Sequence, residues 1–208
     1  MTAKRVWKVC LVGDTGVGKT CVANRFYQDR FSGTIPTIGY AFMERALLVD
    51  EIEHVFNLWD TAGQERYRSL ARGFFRRASA MILVYDITNL HSFQILDKYW
   101  IRSAQRGAPE NAVLAVVGNK ADMGKDRQIT QEEGMEFAQT HDAVFMEVSA
   151  KTGENIYEFF EGLAKSLAGK PELEFRPIGM QALNVNSEQS KGTAKDKPKQ
   201  RCCGHTHL

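Results

Sequence analysis

Eight residues near the start, Gly13-Asp14-Thr15-Gly16-Val17-Gly18-Lys19-Thr20, constrain the fold more than any other stretch. They match the spacing G-x-x-x-x-G-K-[ST] in full and lie between an apolar run at 6–12 and a helix-like pattern at 18–28. Glycines let the backbone wrap phosphates closely, so that consecutive N–H groups point inward at a helix N-terminus. Lys19 can reach the β- and γ-phosphates, and the Thr20 hydroxyl can ligate Mg²⁺. The spacing does not fit G-x-G-x-x-G, so a dinucleotide-binding turn is a poor competitor. A phosphate loop by itself implies only a nucleoside triphosphate.

The pattern downstream alternates short apolar runs with helical periodicity. Residues 41–49 and 54–59 predict consecutive strands, close enough to form a hairpin. Runs at 80–85, 112–117 and 144–148 predict further strands, the first two of the kind buried in a sheet centre. Residues 91–106, 130–140 and 154–167 fit amphipathic helices, and Thr130 with Glu133 predicts a capping box. Alternating strands and helices imply a three-layer α/β domain around a mostly parallel sheet, with the hairpin supplying an antiparallel edge.

Three further strings stand at expected strand ends. Asp60-Thr61-Ala62-Gly63-Gln64 follows a strand ending in Trp59. There Asp60 can hold the metal through water, the Gly63 amide can bond a γ-phosphate, and Gln64 can orient an attacking water. Asn119-Lys120-Ala121-Asp122 follows the run ending at Gly118, where ligands gather in open α/β sheets. The Asp122 carboxylate can accept from guanine N1–H and the exocyclic amine; adenine lacks that donor pair and would leave a buried charge unmatched. Ser149-Ala150-Lys151 follows the last strand, where a backbone N–H can bond guanine O6. Taken singly each string is an ordinary loop. A phosphate loop followed by all three in order favours GTP over the rival reading of a metabolic ATPase or kinase.

Charge and composition change near Gly169. Residues 1–168 carry 20 Lys/Arg against 21 Asp/Glu, which excludes the basic field of a nucleic-acid binder. Residues 169–208 carry seven against four, with three of the five prolines and little apolar periodicity, and read as a flexible tail. Nothing reads as a membrane-spanning run or a cleavable leader. Four cysteines among 208 residues are too few for a disulfide framework and favour a reducing, cytosolic setting. Cys10 and Cys21 are expected to pack as small core residues. Cys202-Cys203 leave three readings open: double prenylation beyond a basic linker, a Cys/His metal site with His205 and His207, or an unmodified tail.

With Thr37 between the first two elements, these strings resemble the Ras superfamily of small GTPases. Ile38-Gly39-Tyr40-Ala41-Phe42, the run from Trp59 to Tyr67, Phe74-Phe75-Arg76-Arg77-Ala78 and Tyr85-Asp86-Ile87-Thr88-Asn89 resemble the Rab branch, the endosomal members above all. The resemblance covers about residues 5–168. It implies a six-stranded G domain with five helices, an endosome-related switch that cycles between GTP and GDP, and slow hydrolysis. Residues 14–21 (Asp14 through Cys21), Gly63, Asn119, Lys120, Asp122, Ser149, Ala150 and Lys151 would line the nucleotide, with Phe31 beside the guanine. Thr20, Thr37 and Asp60 would serve the metal, with Thr37 closing in the GTP state. Phe42, Trp59 and Phe74 would form an apolar surface for effectors. An exchange factor, a GTPase-activating protein, a GDI-like prenyl-binding chaperone and a membrane reached through Cys202 and Cys203 are the implied partners of a monomer. A weakly catalytic scaffold of the same fold is the alternative. Tyr40-Ala41, Arg77 and the five residues after Cys203 depart from the Rab pattern.

Overall fold

The computed structural model describes residues 3–31, 37, 39–61, 73 and 75–175. The chain divides into two units, Met1–Arg176 and Pro177–Leu208. Six strands carry the first: β1 (Ala3–Val12), β2 (Tyr40–Val49), β3 (Ile52–Thr61), β4 (Ala80–Asp86), β5 (Val113–Asn119) and β6 (Val144–Val148). Their order is β2-β3-β1-β4-β5-β6. Only β2 runs antiparallel, paired with β3 from Tyr40 opposite Thr61 to Val49 opposite Ile52. All other pairings are parallel, so the three-layer domain with one antiparallel edge is the observed fold. The β2–β3 turn places Asp50 and Glu51 at φ 48° and 62°. Two successive left-handed residues match the right-handed twist of a hairpin.

Four helices are described complete: α1 (Lys19–Gln28), α2 (90–107), α3 (Gln131–Thr140) and α4 (Ile156–Ala168). Thr130 and Glu133 form the expected capping box: Thr130 Oγ1 accepts from the Glu133 amide at 3.1 Å, and Glu133 Oε2 accepts from the Thr130 amide at 2.7 Å. The second helix differs from a uniform α-helix. It is α-helical over Leu90–Ile95 and Ile101–Gly107, with a π-helical turn at Leu96–Trp100. That wider turn keeps Leu96, Trp100, Ile101 and Ala104 all on the buried side.

Alternation along β1 feeds two apolar layers. Val9 and Leu11 face a core with α1 and α4, where Phe26 stacks on Phe160 at 3.6 Å between centroids and Phe56 meets both edge-on. Cys10 and Val12 face the other layer with Trp100, Ile101 and Tyr85. Cys10 is fully buried, which pushes its thiol up to about 12, and Cys21 packs partly buried against the first core. Ordered contacts continue past Gly169, the boundary read from composition. A 3₁₀ turn at Pro171–Leu173 buries Leu173, whose carbonyl accepts from Ser79 Oγ at 2.6 Å, and the Phe175 amide donates to Val6. The buried Leu173 and these bonds hold residues 171–175 in place despite their proline and charge.

A candidate guanine-nucleotide site

The carboxyl-terminal end of β3, which carries Asp60, and the loops that follow β1, β5 and β6 lie along one edge of the sheet. The phosphate loop turns immediately after β1 because Gly13 adopts φ 146°, and a Cβ there would overlap the Val84 carbonyl of β4. Gly18, at φ 93°, caps α1, and a Cβ on it would strike the Asn119 carboxamide. Val17 is buried, while Thr15 and Gly16 form the exposed tip. Asp14 lies 3.8 Å from His91.

Lys19 opens α1 and curls back into this loop. Its Nζ donates to the carbonyls of Gly13 at 3.0 Å and Asp14 at 2.7 Å. Burial pushes its pKa down to about 8, against the attraction of Asp60 and Asp14. A desolvated ammonium held by two carbonyls gains from an incoming anion, because anionic charge restores what burial removed.

One residue on, Thr20 Oγ1 donates to Asp60 Oδ2 at 2.6 Å and lies 2.9 Å from Thr37 Oγ1, which is 3.2 Å from the same carboxylate oxygen. Three residues from three segments thus converge. Asp60 is completely buried, and its Oδ1 has no hydrogen-bond partner among the described residues. Desolvation raises its pKa, opposed by the Thr20 hydroxyl, Lys19 and the Thr37 hydroxyl. A buried orphan carboxylate oxygen beside two hydroxyls is the donor set of a hard divalent cation.

On the far side, Asn119 Nδ2 donates to the Val17 carbonyl at 2.8 Å, and its Oδ1 accepts from the Ala150 amide at 3.1 Å. Ser149 Oγ donates to Asp122 Oδ1 at 2.5 Å, and Lys151 Nζ lies 3.7 Å from Asp122 Oδ2. Lys120 holds a left-handed φ of 69° and pairs with Asp86 at 2.6 Å. Phe31 is half-exposed, three residues past α1. Among the effector candidates, Phe42 is half-exposed and meets the Trp59 ring edge-on at 5.4 Å. Gly63, Gln64, Phe74, Cys202 and Cys203 lie outside the described residues.

Sequence reasoning missed three contributors. Asp86 engages the Lys120 ammonium. Arg127 holds Glu147 in a two-pronged pair at 2.6 and 2.7 Å, two residues before Ser149. Arg25 of α1 donates to the carbonyls of Ala150 and Lys151. None has a local signature, since each acts on a partner at least 20 residues away.

A phosphate loop with its lysine, a hydroxyl–carboxylate cluster and a base loop ordered by asparagine and aspartate define a P-loop domain for guanine nucleotides. The Ras family model matches residues 8–169. Mouse Ras-related protein Rab-31 is 41% identical over 205 residues, covering 98% of this chain and all of the relative. Human Rab-22A is 38% identical over 203 residues, covering 97% of this chain and all of the relative, and rice Rab5A is 42% identical over 174 residues, covering 83% and 85%. The chain belongs to the Ras family and is Rab-like. It is a small GTPase, a GTP/GDP switch of vesicle trafficking that hydrolyses GTP to GDP and phosphate and works with exchange factors, activating proteins and effectors.

Proposed function

We propose that the chain is an endosomal Rab-type switch whose nucleotide site is built from the residues described above. The observation that carries the reading is the convergence of Thr20, Thr37 and Asp60 beside a buried Lys19, with one Asp60 oxygen unpartnered. Residues 14–21 bind the phosphates, and Asn119, Lys120, Asp122 and 149–151 select guanine, with Phe31 beside the base. Thr20, Thr37 and Asp60 fit Mg²⁺, which would neutralise developing charge on the β- and γ-phosphates. The Gly63 amide bonds the γ-phosphate and Gln64 orients the attacking water. Hydrolysis is slow until an activating protein supplies an arginine, a group worth ~10³–10⁵ in rate. Phe42, Trp59 and Phe74 present the surface that effectors read in the GTP state.

The same reading places lipid on Cys202 and Cys203, reached by a GDI-like chaperone and assisted by the +4 charge of residues 191–201. An unmodified C-terminal peptide in mass spectrometry of protein from a eukaryotic host would remove the anchor. The test of the nucleotide site is competition against labelled GDP. Excess GTP displaces the label and excess ATP does not, whereas Asp122→Asn turns the preference toward xanthine nucleotides. Displacement by ATP as effective as by GTP would sink the guanine reading.

A further inference from the structure

Arg25 lies on the second turn of α1, its side chain only 13% exposed. Its Nε donates to the Ala150 carbonyl at 2.8 Å and Nη2 to the Lys151 carbonyl at 2.6 Å. Its Nη1 reaches the Asp29 carbonyl at 3.1 Å and the Asp29 carboxylate at 3.3 Å. Gly153 packs alongside, so close that a Cβ there would sit 3.7 Å from Arg25 Cδ. One guanidinium therefore joins the helix that carries Lys19 and Thr20, the base loop at 149–151, and the segment leading to Phe31.

The amides of that base loop can be accounted for one by one. Ser149 N–H bonds the Glu154 carbonyl, Ala150 N–H bonds Asn119 Oδ1, and Thr152 N–H bonds Ser149 Oγ. Gly153 N–H bonds the Ser149 carbonyl, and Glu154 N–H bonds Thr152 Oγ1. Lys151 N–H alone in this run has no partner among the described residues. It belongs to the same peptide unit as the Ala150 carbonyl, and in a trans peptide the C=O and N–H point in opposite directions. Pinning the Ala150 carbonyl to Arg25 thus aims the Lys151 N–H away from α1.

We propose that Arg25 is a positioning residue for nucleotide retention: by anchoring the Ala150 and Lys151 carbonyls to α1 it holds the Lys151 amide toward the 6-oxo group of the guanine. The inference rests on the guanine reading above and adds which backbone donor the loop offers and what orients it. Lysine cannot replace Arg25, because a single ammonium lacks the planar fork that spans two successive carbonyls.

The test uses the full chain loaded with fluorescent GDP and measures dissociation in excess unlabelled GDP. Arg25→Ala is expected to speed release on the order of tenfold, the scale of losing one charge-assisted bonding group, and Arg25→Lys to recover only part of it. The same measurement with 6-thio-GDP, whose sulfur is a poorer acceptor, separates aiming from general loosening. If Arg25 acts through the amide at position 6, Arg25→Ala speeds 6-thio-GDP release by a distinctly smaller factor than GDP release. Equal factors for the two nucleotides, full rescue by Arg25→Lys, or unchanged GDP release would overturn the proposal. Should the unsubstituted protein fail to retain GDP at all, the guanine reading itself fails first, and the two failures are told apart.

Discussion

Asn119 reaches across the site to Val17, its Nδ2 donating to that carbonyl at 2.8 Å although 102 residues separate them. Because Oδ1 of the same carboxamide accepts from Ala150, one side chain fixes the phosphate loop and the base loop against each other. Asn119 is only 1% exposed, so its loss strands a buried carbonyl and a buried amide together.

Asn119→Ala is therefore expected to cost about 2–4 kcal/mol of stability, the scale of two buried groups left unpaired. It should also speed GDP release by more than the Arg25 variant does. Urea unfolding and fluorescent GDP dissociation measure the two effects. A variant as stable as the parent would remove Asn119 from this structural role.

Chelating divalent cations should accelerate GDP release on the order of tenfold in the unsubstituted protein. In Thr20→Asn the added effect of EDTA should be much smaller, because the Thr20 hydroxyl is part of the donor set beside Asp60. An equal acceleration in both proteins would separate Thr20 from the cation.

His54 makes a pH dependence that has nothing to do with nucleotide. Its Nδ1 accepts from Trp7 Nε1 at 2.9 Å inside the protein, so the imidazole is neutral there. Burial first and Arg5 second lower its pKa below 6.5, with Asp50 acting the other way. The unfolded chain then takes up the proton first as pH falls. The stabilisation is full above about pH 6.5 and is lost as pH drops through the lower folded value. Urea midpoints of the GDP-bound protein from pH 7.5 to 5 should fall less steeply for His54→Gln, whose side-chain oxygen still accepts from Trp7.

Gln64→Leu should bind GTP normally yet hydrolyse it more slowly, with and without an activating protein, because leucine cannot orient water. Single-turnover phosphate release decides this. Unchanged hydrolysis would take Gln64 out of the reaction.

What was legible in the sequence is what depends on neighbours in the chain. The phosphate loop could be read because eight consecutive residues must satisfy one backbone path, and the Thr130–Glu133 cap because both partners lie within a turn. Strand ends were less clear: β3 runs to Thr61, past Trp59, because β2 pairs with it to the last residue. The π turn at Leu96–Trp100 was hidden, since a one-residue widening barely shifts an apolar stripe. Asn119 was expected to touch nucleotide, but its hold on Val17 spans 102 residues and leaves no periodic trace. Arg25 reads locally as one more polar residue on a helix; only its approach to carbonyls more than 120 residues away distinguishes it. Contacts of that range arise from the sheet order, which short windows do not encode.

The sheet order also dictates when a growing chain can fold. Strand β1 leaves the ribosome first, yet its partners are β3, beginning at Ile52, and β4, beginning at Ala80. The hairpin turning at Asp50 and Glu51 needs only local closure and so can form while β1 still waits. Phe26 and Phe56 wait far longer than the hairpin, for Phe160 of α4 to cover them. A nascent chain halted before Ile156 would hold every phosphate-loop residue and still display two aromatic rings to chaperones. Translation must run through α4 before Phe160 can close the core over both rings.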